Sequence, residues 1–323
     1  MSDDTTESPT VLVLRRGTHG VPVAEYADEL RDRLPGVEVR HARTPAEERE
    51  LIADAEIVTG MSIDEDLLAH AEKLELFACA YAGTGHLPLD ALESRGVAVT
   101  NASGVHGPNI GEHVVGAILA FVRGFPRAWR QGERREWRHF RARELQDSTV
   151  TVVGLGAIGQ AVVERLQGFD VETVGVRYTP EKGGPTDEVL GFDALHDALA
   201  RTDYLVLACP LTDETRGLID EAALVTLPPD AVLVNIARGK VVATDDLVAA
   251  LRRDRIGGAA LDVTDPEPLP EDHPLWNFEN VMITPHNAGH TPEYYARLAD
   301  IVAGNVERVA ETGAYGRLDN RVA

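Results

Sequence analysis

At residues 149–159 the chain runs from five strand-forming residues, Thr149-Val150-Thr151-Val152-Val153, directly into Gly154-Leu155-Gly156-Ala157-Ile158-Gly159 and on into a helical stretch. Few sequence features restrict a fold as sharply. A G-x-G-x-x-G between a strand and a helix uses the first glycine for a tight turn, the second for close backbone approach to a pyrophosphate, and the third for helix–strand packing. The helix that follows offers that phosphate free N–H groups and the positive end of its dipole. The alternative is a glycine-rich turn without a ligand, and the flanking strand and helix weigh against it.

Strand-like runs alternate with helix-like stretches along the whole sequence, the pattern of parallel sheets covered by helices. Strands are expected at 11–14, 37–40, 56–59, 74–78 and 97–100, with an amphipathic helix at 26–34, which makes a first α/β unit of about 100 residues. Six more strands are expected at 149–153, 171–176, 204–208, 231–236, 258–263 and 281–284, as in a doubly wound nucleotide-binding sheet. Between the two sets, residues 108–125 form a helix that is apolar on nearly every side, with Pro108 suited to its first turn. Residues 127–143, rich in arginine and carrying Trp129 and Trp137, read as exposed connecting structure. A last helix is expected at 291–312.

A chain of 323 residues suits two domains, and 44% hydrophobic residues suffice for ordinary cores. Cys79 and Cys209 form no CxxC pair, so neither a disulfide framework nor a zinc site is indicated, and no metal is expected. No apolar run reaches the roughly 20 residues of a membrane helix. The start, MSDDTTESPT, is acidic and polar, the opposite of a signal peptide, so the expected location is the cytoplasm. In that setting the glycosylation match Asn101-Ala102-Ser103 reads as chance. There are 53 acidic residues against 31 basic ones, a formal charge of −22, and only Lys73, Lys182 and Lys240 are lysines. Such a surface repels phosphates, so nucleic acid is not an expected partner. Two readings of the charge stand: a moderately acidic enzyme from a GC-rich genome, or a protein built for molar salt.

The tip of the second strand after the glycine loop reads Val174-Gly175-Val176-Arg177-Tyr178-Thr179. NAD-selective folds place an acid there to bond the ribose 2′-hydroxyl. Here Arg177 could pair with a 2′-phosphate, with help from the Thr179 hydroxyl, so NADP(H) is the expected cofactor and NAD(H) a second one. The alternative is a surface arginine on a fold that still prefers NAD. Three further segments lie at the carboxyl ends of expected strands, where doubly wound sheets place their ligands. They are Val234-Asn235-Ile236-Ala237-Arg238-Gly239, Leu261-Asp262-Val263-Thr264-Asp265-Pro266-Glu267-Pro268 and Thr284-Pro285-His286-Asn287-Ala288-Gly289.

At these residues, and over nearly its whole length, the chain closely resembles the D-isomer-specific 2-hydroxyacid dehydrogenase family. The glycine loop, N-x-A-R-G, the acidic E-P segment and T-P-H appear in family order with family-like spacing. The resemblance implies reversible reduction of a small 2-keto acid to its D-2-hydroxy acid, with Arg238, Glu267 and His286 as catalytic residues. The chemistry suits those types. Histidine can give the carbonyl oxygen its proton near neutrality. Glu267 would orient the ring and stabilise the imidazolium. Arg238 presents a planar fork of donors to the substrate carboxylate and carbonyl.

The resemblance also implies a Rossmann domain at 104–289 inserted in a flavodoxin-like substrate domain at 1–103 and 290–323, with a homodimer as the assembly. It carries cofactor contacts over to Ala157, Ile158, Cys209, Pro210, Thr215, Ile236, Ala237, Asp262, Ala288 and Gly289. Among these, Asp262 would accept from the nicotinamide amide and Cys209 would be a small wall residue. A carboxylate-binding loop falls at Tyr81, Ala82 and Gly83, continuing through Thr84-Gly85, where many members carry Asp in place of Gly85. Thr264 stands where an aromatic is common. His86, His106 and His113 have no counterpart roles and read as structural or interdomain. The length leaves no room for the regulatory domain of long-chain phosphoglycerate dehydrogenases. Rival readings are a reductase of glyoxylate or hydroxypyruvate, a relative acting on formate or phosphite, and a cofactor-sensing corepressor, which turnover would separate from an enzyme.

Overall fold

The structure is a computed structural model that describes residues 9–18 and 20–323; most of the acidic start of the sequence lies outside the described residues. The chain divides into two compact units, residues 1–105 with 290–323 and residues 106–289.

In the first unit β1 (Val11–Val13), β2 (Val39–His41), β3 (Ile57–Gly60), β4 (Leu76–Cys79) and β5 (Ala98–Thr100) pair in the order β2-β1-β3-β4-β5. Every pair is parallel. This is the flavodoxin-like strand order. The connections carry α1 (Val23–Arg33), α2 (Pro45–Leu51), α3 (Glu65–Leu68) and α4 (Leu89–Ser94). All residues of β1, β3, β4 and β5 are buried, as expected of strands covered on both faces. Thr44 and Asp64 cap α2 and α3 by accepting the Glu47 and Leu67 N–H groups.

The second unit opens with α5 (Gly107–Val122) and α6 (Phe125–Glu133). Then follow β6 (Thr149–Val153), α7 (Ala157–Leu166), β7 (Glu172–Val176), β8 (Glu188–Leu190), α8 (Leu195–Leu199) and β9 (Tyr204–Leu207). The remainder is α9 (Glu221–Thr226), β10 (Val232–Asn235), α10 (Thr244–Arg252), β11 (Gly258–Leu261) and β12 (Val281–Ile283). The sheet order is β12-β11-β10-β9-β6-β7-β8, all parallel. Read from β8, it is the dinucleotide-binding order with one strand added, and its switch point lies between β6 and β9. The final helix, α11 (Tyr294–Thr312), belongs to the first unit. There it packs on α1, with the Tyr26 and Tyr295 rings stacked 5.2 Å apart.

Three expectations need correction. The second sheet has seven strands, because Glu188–Leu190 adds a half-buried edge strand too short to show a periodic pattern. The long apolar helix stops at Val122, since Gly124 adopts a left-handed φ of 67° and starts α6. Residues 127–143 are therefore helical from 127 to 133 rather than wholly connecting structure. The polar look of α6 hides Pro126 and Gln131, which are buried. On α5, Gly107 and Gly111 let the helix lie close to α7: a Cβ at Gly111 would stand 3.1 Å from the Ala161 carbonyl oxygen.

Candidate active site

The glycine loop is built as its sequence requires. Gly154 has φ 98°, and a Cβ there would stand 2.6 Å from the Cys209 backbone nitrogen, so only glycine lets the loops after β6 and β9 meet at the switch point. A Cβ at Gly159 would run into the Gly154 carbonyl oxygen, which fixes α7 against the turn. Gly156 faces open space within 4 Å, at the N-terminus of α7. The cradle therefore leaves room for a phosphate where the helix dipole favours one.

Next to it lies a cavity of about 440 Å³ whose walls include Gly154, Gly156, Arg177, Thr179, Cys209 and Thr215. Tyr178 and Pro210 border it too. The sequence did not single out Lys182, yet it lines the same cavity. Neither Arg177 nor Lys182 has a carboxylate within ion-pair distance among the described residues. In so acidic a chain that leaves two cations for an anionic group on a ligand. The Arg177 Nη1 donates to the Gly183 carbonyl at 2.5 Å, which ties the tip of β7 to the turn carrying Lys182. Glu214 borders the cavity as a third charge, and its hydrogen bond from Thr212 holds its carboxyl below the usual range. Thr215 Oγ1 donates to the Pro210 carbonyl at 2.6 Å and stiffens the loop after β9. Burial pushes the Cys209 thiol up to about 11, so it packs as a neutral wall.

Farther along the carboxyl edge, Ile236 and Ala237 are buried at the end of β10, and the Asn235 side chain accepts the Ala237 N–H at 3.0 Å. Arg238 is exposed, with Nη1 donating to the Ala237 carbonyl at 2.6 Å. Gly239 explains how this turn meets the next segment, because a Cβ there would strike the Thr264 backbone. Past Thr264, Glu267 Oε1 lies 2.8 Å from His286 Nδ1. His286 holds a left-handed φ of 53°, and its N–H reaches the Asp262 carbonyl at 2.8 Å. Glu267, His286 and Trp276 border a cavity of about 370 Å³. No hydrogen bond or ion pair joins Arg238 to Glu267 or His286 among the described residues.

Asp262 does more than the sequence suggested. Its carboxylate is buried and accepts Thr284 Oγ1 at 2.5 Å, Asn287 N at 2.8 Å and Ala288 N at 3.0 Å. It therefore clamps the segment carrying His286. His113 Nε2 stands 3.4 Å from Thr284 Oγ1 and 3.9 Å from Asp262 Oδ1. Asn109 Nδ2 holds the Ala288 carbonyl at 2.7 Å, next to Gly289.

In the first unit, Ala82 and Gly83 are exposed on the loop after β4, and Tyr81 is half-buried. His86 Nε2 meets the Met61 carbonyl at 2.7 Å while its ring stands edge-on to Tyr81, 5.7 Å between centroids. His86 and His113 thus have local partners inside their own units. Among the described residues no group of three metal-ligating side chains assembles.

The family profile described as D-isomer specific 2-hydroxyacid dehydrogenase, NAD binding domain, matches residues 115–288. The chain is 33% identical to the D-3-phosphoglycerate dehydrogenase of Methanocaldococcus jannaschii over 294 residues, covering 89% of this chain but only 56% of that longer protein. It is 37% identical over 254 residues to the glyoxylate reductase of Thermofilum pendens, covering 76% of this chain and 74% of the relative. Among solved structures, a D-isomer specific 2-hydroxyacid dehydrogenase from Xanthobacter autotrophicus, crystallised with NADPH and MES, superposes with a TM-score of 0.78. It has 28% identity, and 98% of each chain is covered.

Proposed function

Because this chain belongs to the D-isomer specific 2-hydroxyacid dehydrogenase family, we propose that it reduces small 2-keto acids to D-2-hydroxy acids, reversibly, with NADP(H) as preferred cofactor and NAD(H) as a second. The observation that carries the proposal is the Glu267–His286 pair, 2.8 Å apart on the same sheet edge as the glycine cradle. The cradle fits a dinucleotide, since Gly156 is open and Arg177 with Lys182 could take a 2′-phosphate.

When bound, the reduced nicotinamide supplies a hydride to C2 of the keto acid. His286 gives the carbonyl oxygen a proton from Nε2, because Nδ1 is engaged by Glu267. Glu267 keeps the ring oriented and stabilises its cationic form. Arg238, free of a carboxylate partner among the described residues, keeps guanidinium donors for the substrate carboxylate and the developing oxyanion. Asp262 holds the His286 segment in its left-handed turn. In the first unit, the exposed loop at Ala82 and Gly83 offers N–H groups suited to a carboxylate.

The same reading makes the protein a cytoplasmic homodimer adapted to molar salt. Supporting the dimer, Trp129 is 59% exposed and Trp137 92% exposed, an unusual outlay of aromatic surface for a lone subunit. Among the described residues no helix is long and apolar enough to cross a membrane. The test is a panel of 2-keto acids, glyoxylate and hydroxypyruvate included, followed by nicotinamide absorbance with each reduced cofactor at low and high salt. Turnover of at least one 2-keto acid to the D-product is expected. Absence of turnover across the panel would overturn the proposal.

A further inference from the structure

The loop Tyr81–Gly83 is held by its carbonyls. The Ala80 carbonyl accepts Tyr294 Oη, the Tyr81 carbonyl accepts Ala102 N at 3.1 Å, and the Ala82 carbonyl accepts Asn101 Nδ2 at 2.7 Å. A trans peptide sets each N–H opposite the preceding carbonyl. Fixing the Tyr81 and Ala82 carbonyls therefore aims the Ala82 and Gly83 N–H groups away from those donors, on residues that are exposed. A Cβ at Gly83 would meet nothing within 4 Å, so that side is open to a ligand.

Asn101 is itself held. Its Oδ1 accepts Ser103 N at 3.1 Å, which fixes the amide with Nδ2 toward Ala82. Its backbone N–H donates to the Asn320 carbonyl at 3.1 Å, and its carbonyl accepts Asn320 Nδ2 at 3.2 Å. The same Nδ2 reaches the Ser103 carbonyl at 2.8 Å. Asn320 adopts φ 58°, a conformation asparagine tolerates. Its neighbour Asp319 exchanges two hydrogen bonds with the buried Asn305 of α11, and Val322 pairs with Val99 of β5. The glycosylation match at Asn101 thus has a structural use: its amide is committed to the loop.

We propose that Asn101 and Asn320 are positioning residues that hold the Ala82 and Gly83 amides toward the substrate carboxylate and so set affinity for the keto acid. The proposal rests on the reading of this loop as the carboxylate subsite. Asn320 acts through Asn101, and Asn101 through the Ala82 carbonyl; neither touches the reacting atoms.

The test uses the whole chain with Asn320→Gly and Asn101→Ala. Glycine keeps the left-handed backbone at 320 while removing the side-chain donor. Steady-state kinetics, NADPH binding, thermal unfolding and hydrogen exchange at the Ala102 amide are read together. In each variant KM for the keto acid should rise about tenfold, the worth of one or two neutral hydrogen bonds. Little change is expected in kcat or NADPH affinity. The Ala102 amide should exchange faster, because its acceptor, the Tyr81 carbonyl, loosens with the loop. An unchanged KM in both variants overturns the proposal, as does a lowered melting temperature with kcat falling and KM constant. A wild type that turns over no 2-keto acid refutes the functional reading instead, and Ala102 exchange then decides by itself whether the relay holds the loop.

Discussion

NADPH and NADH differ by one phosphate, so the ratio of their kcat/KM values isolates the work of Arg177 and Lys182. That phosphate carries a charge of about −1.5 to −2 near neutrality. An opposite unit charge about 4 Å away contributes about 1 kcal/mol in bulk water and about 4 kcal/mol at an effective dielectric of 20. Arg177 is half-buried and tied to Gly183, whereas Lys182 is exposed. We therefore assign about 2 kcal/mol to Arg177 and about 1 kcal/mol to Lys182, equivalent to about 30-fold and about fivefold in kcat/KM for NADPH. Arg177→Gln should lower kcat/KM for NADPH by that larger factor and leave NADH nearly untouched. Arg177→Asp should reverse the preference. Lys182→Gln should show the smaller loss, while Glu214→Gln should raise NADPH preference by removing a carboxylate from the same cavity. The assay is initial-rate reduction in dilute buffer, because at about 1 M salt the screening length shrinks to about 3 Å and mutes the contrast. Two results would refute the reasoning: a wild type that prefers NADH, or an Arg177→Gln variant that loses both cofactors equally.

His286→Ala should cut kcat by about 10²- to 10⁴-fold with NADPH binding retained; near-normal reduction by the variant counts against the proton donor. Burial, followed by the charges of Arg43 and Arg31, lowers the His41 pKa in the folded state. The unfolded chain then binds the proton more readily, so His41 withholds no stability above its unfolded value of about 6.5 and takes some away as pH falls below it. His41→Gln should flatten the acid side of a pH–melting-temperature profile, and an unchanged profile rules this out. With a net charge of −22, self-repulsion should make the melting temperature climb steeply from dilute buffer to molar KCl, where screening and salting-out act together. A flat or falling KCl series overturns the salt-adapted reading and leaves the dehydrogenase proposal standing.

The parts of the fold that could be read from the sequence are those where one local requirement fixes the residue type. Strands buried on both faces read as near-continuous runs of apolar and β-branched residues, so β6 stood out with its ends in place and β3, β4, β9 and β10 with ends shifted by a residue or two. Gly154 and Gly159 could be assigned because no side chain fits beside Cys209 or the Gly154 carbonyl. The edge strand β8 and the helix α6 escaped. One has three half-buried residues and no period, and the other carries Arg127, Trp129 and Arg130 while its buried residues are a proline and a glutamine.

Side chains gathered by loops were harder to place, since their partners are set by the turns between strands. Lys182 reaches the cavity with Arg177 because a short turn after β7 folds back and gives its Gly183 carbonyl to Arg177. A count of three lysines was the available signal, for a rare lysine close after the tip of the second strand is a candidate partner for an anion. Asp262 shows the same limit from the other side. Its place at a strand end marked it as part of the site, but its contacts are Thr284, Asn287 and Ala288, which only the turn at His286 brings within reach. A left-handed φ at His286 is unfavourable for a side chain of that size unless its surroundings enforce it. The buried carboxylate supplies that enforcement with three hydrogen bonds, and Glu267 then fixes the ring that the turn presents. Under the proposed mechanism, the placement of the His286 ring therefore depends on this clamp as well as on Glu267, and the residue type at 262 alone does not reveal it.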